Sequence, residues 1–344
     1  MTSATKTLLV CSILLAMISA TTAHTSLDWQ PVPPPPDKVG FTGVGRGVLL
    51  VAGGANFPDK RPREGGTKIW YDRVFALEPG ATTWRDASHL PSCANCHGVA
   101  ATTGEDMVLI AGDARRTVAE VWLARWGGRA VGFTASSALP RPLAMAAGAV
   151  TGRTLYVAAG LDRPDAKQAQ RVLLALDVDK RDAGWRTLEA CPDPERFLVV
   201  DAAYEGAFCL FGDARLVSDM QGKPQCEWLR DAWRYTPDAG WQRLVDLPRA
   251  TVVALTSAPI VAGRVLVLGG HDGTQVNVAP TAHRGSPRNV LAYDLVADTW
   301  SRAGDVPFSL VTTSATTWRE HIVVAGGEAR PGVRSPSVYT VEAK

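Results

Sequence analysis

Short apolar runs that end in a small residue and a glycine recur along the whole chain. They are Val48-Leu49-Leu50-Val51-Ala52-Gly53-Gly54, Met107-Val108-Leu109-Ile110-Ala111-Gly112 and Leu155-Tyr156-Val157-Ala158-Ala159-Gly160. The series continues with Phe208-Cys209-Leu210-Phe211-Gly212, Val265-Leu266-Val267-Leu268-Gly269-Gly270 and Ile322-Val323-Val324-Ala325-Gly326-Gly327. The last glycines lie 58, 48, 52, 58 and 57 residues apart. Runs of this length bounded by turn residues predict strands, and their regular spacing marks an internal repeat.

Other features keep the same phase. After a loop, a second apolar stretch carries an aromatic residue, often beside an aspartate: Tyr71-Asp72, Val121-Trp122, Asp231-Ala232-Trp233, Tyr293-Asp294. A tryptophan follows (Trp84, Trp185, Trp241, Trp300), and then a proline exit (Leu90-Pro91, Leu139-Pro140, Leu247-Pro248, Val306-Pro307). A four-stranded sheet cannot bury both of its faces alone. Stacking such sheets radially does so, with the tryptophans wedged between blades and the glycines letting the backbone turn near the axis. The period of about 50 residues is that of a kelch blade. The expected fold is therefore all-β, a six-bladed kelch-type β-propeller. The sixth repeat ends after Ser337-Val338-Tyr339-Thr340-Val341. Its missing tryptophan-and-proline strand stands at the start, in Leu27-Asp28-Trp29-Gln30-Pro31-Val32-Pro33. The N-terminal strand is expected to join the last blade and shut the ring, which removes exposed sheet edges.

Composition adds two constraints. With 36 basic and 34 acidic residues among 344 the formal charge is +2, and no basic stripe offers a footprint for nucleic acid. Residues 1–23 read as a signal peptide: Lys6, an apolar run from Leu8 to Ile18 too short to span a bilayer, and small residues Thr21-Thr22-Ala23 before His24. The propeller would then occupy 24–344, soluble and free of the membrane after cleavage, in the periplasm or secreted. Five cysteines remain there, Cys93, Cys96, Cys191, Cys209 and Cys226. Their odd count leaves at least one thiol unpaired within the chain, and spacing does not reveal the pairing.

Candidate chemistry gathers on one rim, where the residues after each glycine pair converge on the axis. That rim carries Asn56, Asp113 with Arg115 and Arg116, Asp162 with Arg163, Asp213 with Arg215, His271 with Asp272, and Glu328 with Arg330 and Arg334. The longest loops start there too (55–68, 213–227, 271–288), and long loops on one face of a repeat are usually its binding face. Asp113, Asp162 and Asp213 read as turn aspartates that bond their own backbone. Glu328 differs: Gly327-Glu328-Ala329-Arg330-Pro331-Gly332-Val333-Arg334-Ser335 sets a carboxylate and two guanidiniums within seven residues, stiffened by Pro331. A fixed carboxylate beside fixed donors suits a general base in an anion pocket.

Two stretches resemble the N-acetylneuraminate epimerases, the kelch-propeller sialic acid mutarotases, and in particular their cyclically permuted subgroup. One runs from Gly40-Phe41-Thr42-Gly43-Val44 through Ala52-Gly53-Gly54-Ala55-Asn56-Phe57-Pro58 to Glu64-Gly65-Gly66-Thr67-Lys68-Ile69-Trp70-Tyr71-Asp72. The other is the Gly327–Ser335 loop, which fits the pattern G-E-x-[KR]-P-G-x-R-[ST]. A closed ring tolerates rotation of blade order because each blade touches only its neighbours. The resemblance implies an isomerase that interconverts the α and β anomers of a sialic acid or related acidic sugar, with no cofactor. It assigns Glu328 as proton acceptor and matches Arg334 to a charged catalytic position of the same motif. Position alone adds Arg215, Arg116, Lys68, Asn56, His283 and Arg330 as substrate-binding residues. The chain departs from the pattern at Ala159-Gly160 and Phe211-Gly212, where full glycine pairs are missing, and at Cys93-Ala94-Asn95-Cys96-His97.

Cys93, Cys96 and His97 form a haem c attachment motif by spacing, and a local disulfide or thiol pair is the plainer reading. The motif sits in a blade without a helical domain around it. Copper chemistry of the galactose-oxidase kind would need tyrosine and histidine ligands around one metal, and the six histidines are dispersed, so no metal is expected. A non-catalytic propeller that binds glycans or proteins is the alternative to the enzyme, since propellers host many functions.

Overall fold

The computed structural model describes residues 27–91, 97–113, 116–192 and 194–342. The expected leader, Cys93, Cys96 and Arg115 lie outside the described residues. Among the described residues, six four-stranded antiparallel sheets build the molecule. Their innermost strands, blade 1 to blade 6, are Phe41–Gly45, Val99–Thr103, Ala147–Thr151, Val200–Tyr204, Ile260–Val261 and Ala315–Trp318. The apolar runs of the sequence are the second strands, Val48–Ala52, Asp106–Asp113, Thr154–Ala158, Ala207–Ser218, Arg264–Leu268 and His321–Ala325. Two small ribbons, Ala55–Asn56 with Ile69–Trp70 and Glu328–Arg330 with Val333–Arg334, stand outside the blades. Among the described residues no helix is long and apolar enough to cross a membrane.

Alternation explains why the runs are apolar throughout. Successive side chains of a strand point to opposite faces, and each blade has a neighbour on both. In blade 1, Val48 and Leu50 pack toward blade 2 with Met107 and Leu109. Leu49 and Val51 pack the other way, toward blade 6 with Val323 and Ala325. The same division gives one apolar cluster at each of the remaining interfaces, blades 2–3, 3–4, 4–5 and 5–6. Burying one such Val or Leu side chain stabilises the fold by roughly 1.5–3 kcal/mol.

The tryptophans lie between blades as expected, and they also hydrogen-bond across the gap. Nε1 of Trp84 donates to Pro33 O (2.6 Å), Trp185 to Ser137 O (2.8 Å), Trp241 to Glu189 O (2.8 Å) and Trp300 to Val245 O (3.2 Å). Each acceptor lies at or just beyond the outer strand of the preceding blade, so the indole satisfies its one donor while its ring fills the wedge.

Closure follows the sequence expectation. Gln30–Val32 pairs antiparallel with Val338–Glu342, with Gln30 opposite Thr340 and Val32 opposite Val338. Trp29 packs edge-on against Phe308 at 5.3 Å. On the inner side the Thr42 amide of blade 1 donates to Ser314 Oγ of blade 6 at 2.7 Å. The ring is shut at its outer edge and at its axis.

Candidate functional site

At one mouth of the channel the chain crosses from blade to blade, and the glycine pairs make that crossing possible. A Cβ on Gly54, at φ 111°, would stand 2.2 Å from Lys38 O, so only glycine lets the two backbones meet there. Just beyond the pairs, single bridges tie four rim residues to the segment that enters their own blade: Leu161 to Ala144, Ala214 to Phe197, His271 to Val252 and Glu328 to Val311. These four positions are equivalent. In blades 3 and 4 they hold Leu and Ala; in blades 5 and 6 they hold His and Glu.

Inside this rim lies a collar. His97, Met145, Leu198, Val253 and Thr312 begin blades 2 to 6, and all have left-handed backbone, at φ 57°, 54°, 59°, 49° and 54°. Each amide donates to the carbonyl of the previous collar residue: Met145 to His97 (2.8 Å), Leu198 to Met145 (3.0 Å), Val253 to Leu198 (3.1 Å) and Thr312 to Val253 (3.0 Å). An L-residue in this region costs roughly 1–2 kcal/mol, which the surrounding bonds offset. The five residues are among those that line a cavity of about 60 Å³, room for a few water molecules.

Glu328 and Arg334 meet across their ribbon, where they are register partners. Arg334 Nη2 lies 3.1 Å from Glu328 Oε2, and the two side chains are 11% and 21% exposed. The Gly332 amide donates to Glu328 Oε1 at 3.2 Å, and Arg334 Nη1 donates to Thr312 Oγ1 at 2.9 Å. Pro331-Gly332 turns the ribbon and brings the amide back to the carboxylate. Neither charged side chain is part of the cavity wall; Thr312 joins them to it. The Val333–Arg334 strand packs against Ala55–Asn56, which places Asn56 beside this pair. Arg330, on the same ribbon, is exposed.

The other predicted residues are more scattered. Lys68 holds its ammonium 5.0 Å from the centre of the Trp70 ring. Arg215 pairs with Glu227 at 2.8 Å across a long blade 4 hairpin. Its neighbours Ala214 and Leu216 pack into the apolar rim cluster, so alternation puts Arg215 on the opposite face of that hairpin. Arg116 is exposed at the hairpin tip of blade 2. His283 is buried beside His271, their rings 6.5 Å apart. Both accept an amide at Nδ1, from Gly273 (2.9 Å) and Gly285 (3.0 Å). A ring nitrogen that accepts carries no proton, so the proton of each neutral imidazole is on Nε2. Burial lowers the His271 pKa from its ordinary value, which keeps it neutral at pH 7.

Asp213 corrects an expectation. Read as a turn aspartate, it is instead fully buried on Arg196, whose Nη1 donates to Asp213 Oδ2 (3.0 Å) and whose Nη2 donates to Asp231 Oδ2 (2.7 Å). Burial pushes the Asp213 carboxyl up. Asp162 stands 3.8 Å from Arg163. The cysteines within the described residues, Cys191, Cys209 and Cys226, carry free thiols. Burial pushes Cys191 and Cys209 up to about 12, so neither is a nucleophile at neutral pH. Of the haem motif only His97 is described, and it belongs to the collar. Among the described residues no group of three or more His, Cys, Asp or Glu is placed to hold a metal ion.

The channel's far mouth opens to about 340 Å³ and is lined by Ala, Thr, Ser, Val, Pro and Ile, with no charged residue. Behind it Asp201 is fully buried, 2.6 Å from Ser257 Oγ, and burial pushes its carboxyl up to about 7.

No family model matches the chain. The chain is similar in sequence to N-acetylneuraminate epimerases. That of Yersinia enterocolitica (serotype O:8 / biotype 1B, strain NCTC 13174 / 8081) is 27% identical over 48% of this chain and 48% of its own length. That of Shigella sonnei (strain Ss046) is 24% identical over 59% of each. The chain thus spans about half the length of the curated relatives it matches. A solved structure of YjhT superposes with a TM-score of 0.63 over 90% of this chain and 99% of that one, at 13% identity, a likeness of fold.

Proposed function

We propose that this propeller is a sugar isomerase that exchanges the α and β anomers of a sialic acid or a related acidic sugar at the collar mouth, after export to the periplasm or beyond. The observation that carries the reading is the Glu328–Arg334 pair, held by Gly332 and anchored to the collar through Thr312. The names of the relatives agree with it.

The chemistry asks little of the protein. Glu328 takes the proton of the anomeric hydroxyl, and the bond from the anomeric carbon to the ring oxygen breaks as a carbonyl forms. The ring oxygen takes up a proton and leaves as a hydroxyl. Rotation of the open chain presents the other face of the carbonyl, and the same steps in reverse close the ring. No atom is gained or lost. Arg334 holds the sugar's carboxylate and keeps Glu328 oriented, since a guanidinium can serve both at fixed angles.

Proton NMR of freshly dissolved N-acetylneuraminate tests the reading. The expected result is a faster approach to anomeric equilibrium with the protein, lost in Glu328→Gln while binding persists. An unchanged rate with wild-type protein overturns it. Because Glu328 already holds one amide hydrogen bond and one ion pair, a glycan-binding propeller without catalysis is the second reading, and binding without exchange in the wild type would select it.

A further inference from the structure

The five collar residues hold left-handed backbone although none is glycine or asparagine. Glycine takes this conformation without strain, and branched residues such as Val253 and Thr312 resist it most. Strain of this kind collects where a site needs the side chain. All five residues are half-buried and line the cavity, together with the buried residues that follow in blades 4, 5 and 6 (Val199, Ala254, Thr313). Three collar neighbours in a row, Met145, Leu198 and Val253, are apolar, and Leu161, Phe197, Ala214 and Val252 back them with a further apolar layer. The next member, Thr312, carries Arg334. Around the axis the collar is therefore apolar over blades 3 to 5 and polar at blades 6 and 2, where Thr312 and His97 stand.

We infer that Met145, Leu198 and Val253 are the specificity element of this mouth, seating an apolar acyl substituent of an acidic sugar whose carboxylate lies toward Arg334. The sugar rests on the reading above; the acyl seat rests on the collar. An acyl chain moved from water onto these three side chains gains with each methylene, whereas a hydroxyl in its place meets no hydrogen-bonding partner among them.

The test uses four sugar acids that differ only at that substituent: hydroxyl, glycolylamino, acetylamino and butanoylamino. Anomer exchange followed by NMR should give kcat/KM rising in that order, with roughly fourfold per methylene between the acetylamino and butanoylamino compounds. Leu198→Asn and Met145→Asn suit the left-handed backbone, so the fold is kept, and each should flatten the series. A flat series in the wild type, or an unchanged slope in both variants, overturns the assignment. Saturation-transfer NMR with the same four compounds separates the two claims. Binding that rises with chain length without exchange upholds the acyl seat and removes the isomerase. Exchange that ignores chain length does the reverse.

Discussion

The two mouths of the channel are ends of the same inner strands, yet they have opposite characters. At the far mouth the strands are joined by tight two-residue turns such as Glu205-Gly206, at φ 46° and 85°, and the lining has no charge. At the collar mouth the chain crosses between blades, bridges form, and His271, Glu328 and Arg334 collect. A two-residue turn leaves no chain to carry side chains over the axis, whereas a crossing segment does. The hairpin geometry that builds the blades thus confines chemistry to one side of the ring.

Substitutions at both ends can break this contrast. The largest effect is expected from Arg196→Met beneath the collar rim, which leaves Asp213 and Asp231 without their cation. Unfolding should show a loss of about 3–5 kcal/mol, and a smaller change would mean that the buried pair does not hold the rim. Next is Asp201, the titratable group behind the far mouth. Its folded pKa of about 7 stands above the ordinary carboxylate value, so the neutral acid is favoured in the fold. Stability from this group is complete below about pH 4 and falls as pH rises toward 7, by at most about 1.4 kcal/mol per pH unit. Asp201→Asn should remove that slope in unfolding measured from pH 4 to 8.

Third, Arg334→Ala should lower kcat/KM for the proposed anomer exchange about a hundredfold, equivalent to roughly 2.7 kcal/mol. Arg334→Lys should restore little, since an ammonium cannot reach Glu328 and Thr312 with the same fork. The smallest effect belongs to Thr316→Val at the far mouth. It breaks a 3.3 Å contact with Thr102 and should cost about 0.5–1 kcal/mol while leaving exchange unaltered. A loss of exchange there would erase the contrast between the mouths.

The blades were legible because alternation buries both faces of every second strand, which leaves an unbroken apolar run ahead of each glycine. The Glu328–Arg334 contact was legible because Pro331-Gly332 marks a turn between them. The collar was not. Met, Leu, Val and Thr in left-handed backbone leave no mark in a sequence, where glycine or asparagine would have. The pairing of Arg215 with Glu227 depends on a register shift between Phe211 and Asp213, and one extra residue there decides which face a side chain takes. His271 was visible on the rim, but its equivalence to Glu328 needed the bridges to Val252 and Val311.

The strand Gln30–Val32 and its partner Val338–Glu342 stand at opposite ends of the six repeats. Five blades draw all four strands from one repeat, whereas blade 6 needs both ends of the series, so its outer hydrogen bonds are of very long range. Contacts of such long range form late and slowly. A propeller caught before this pairing would expose the seam to any other unpaired strand nearby, which makes the wait for closure the moment of greatest danger for this fold.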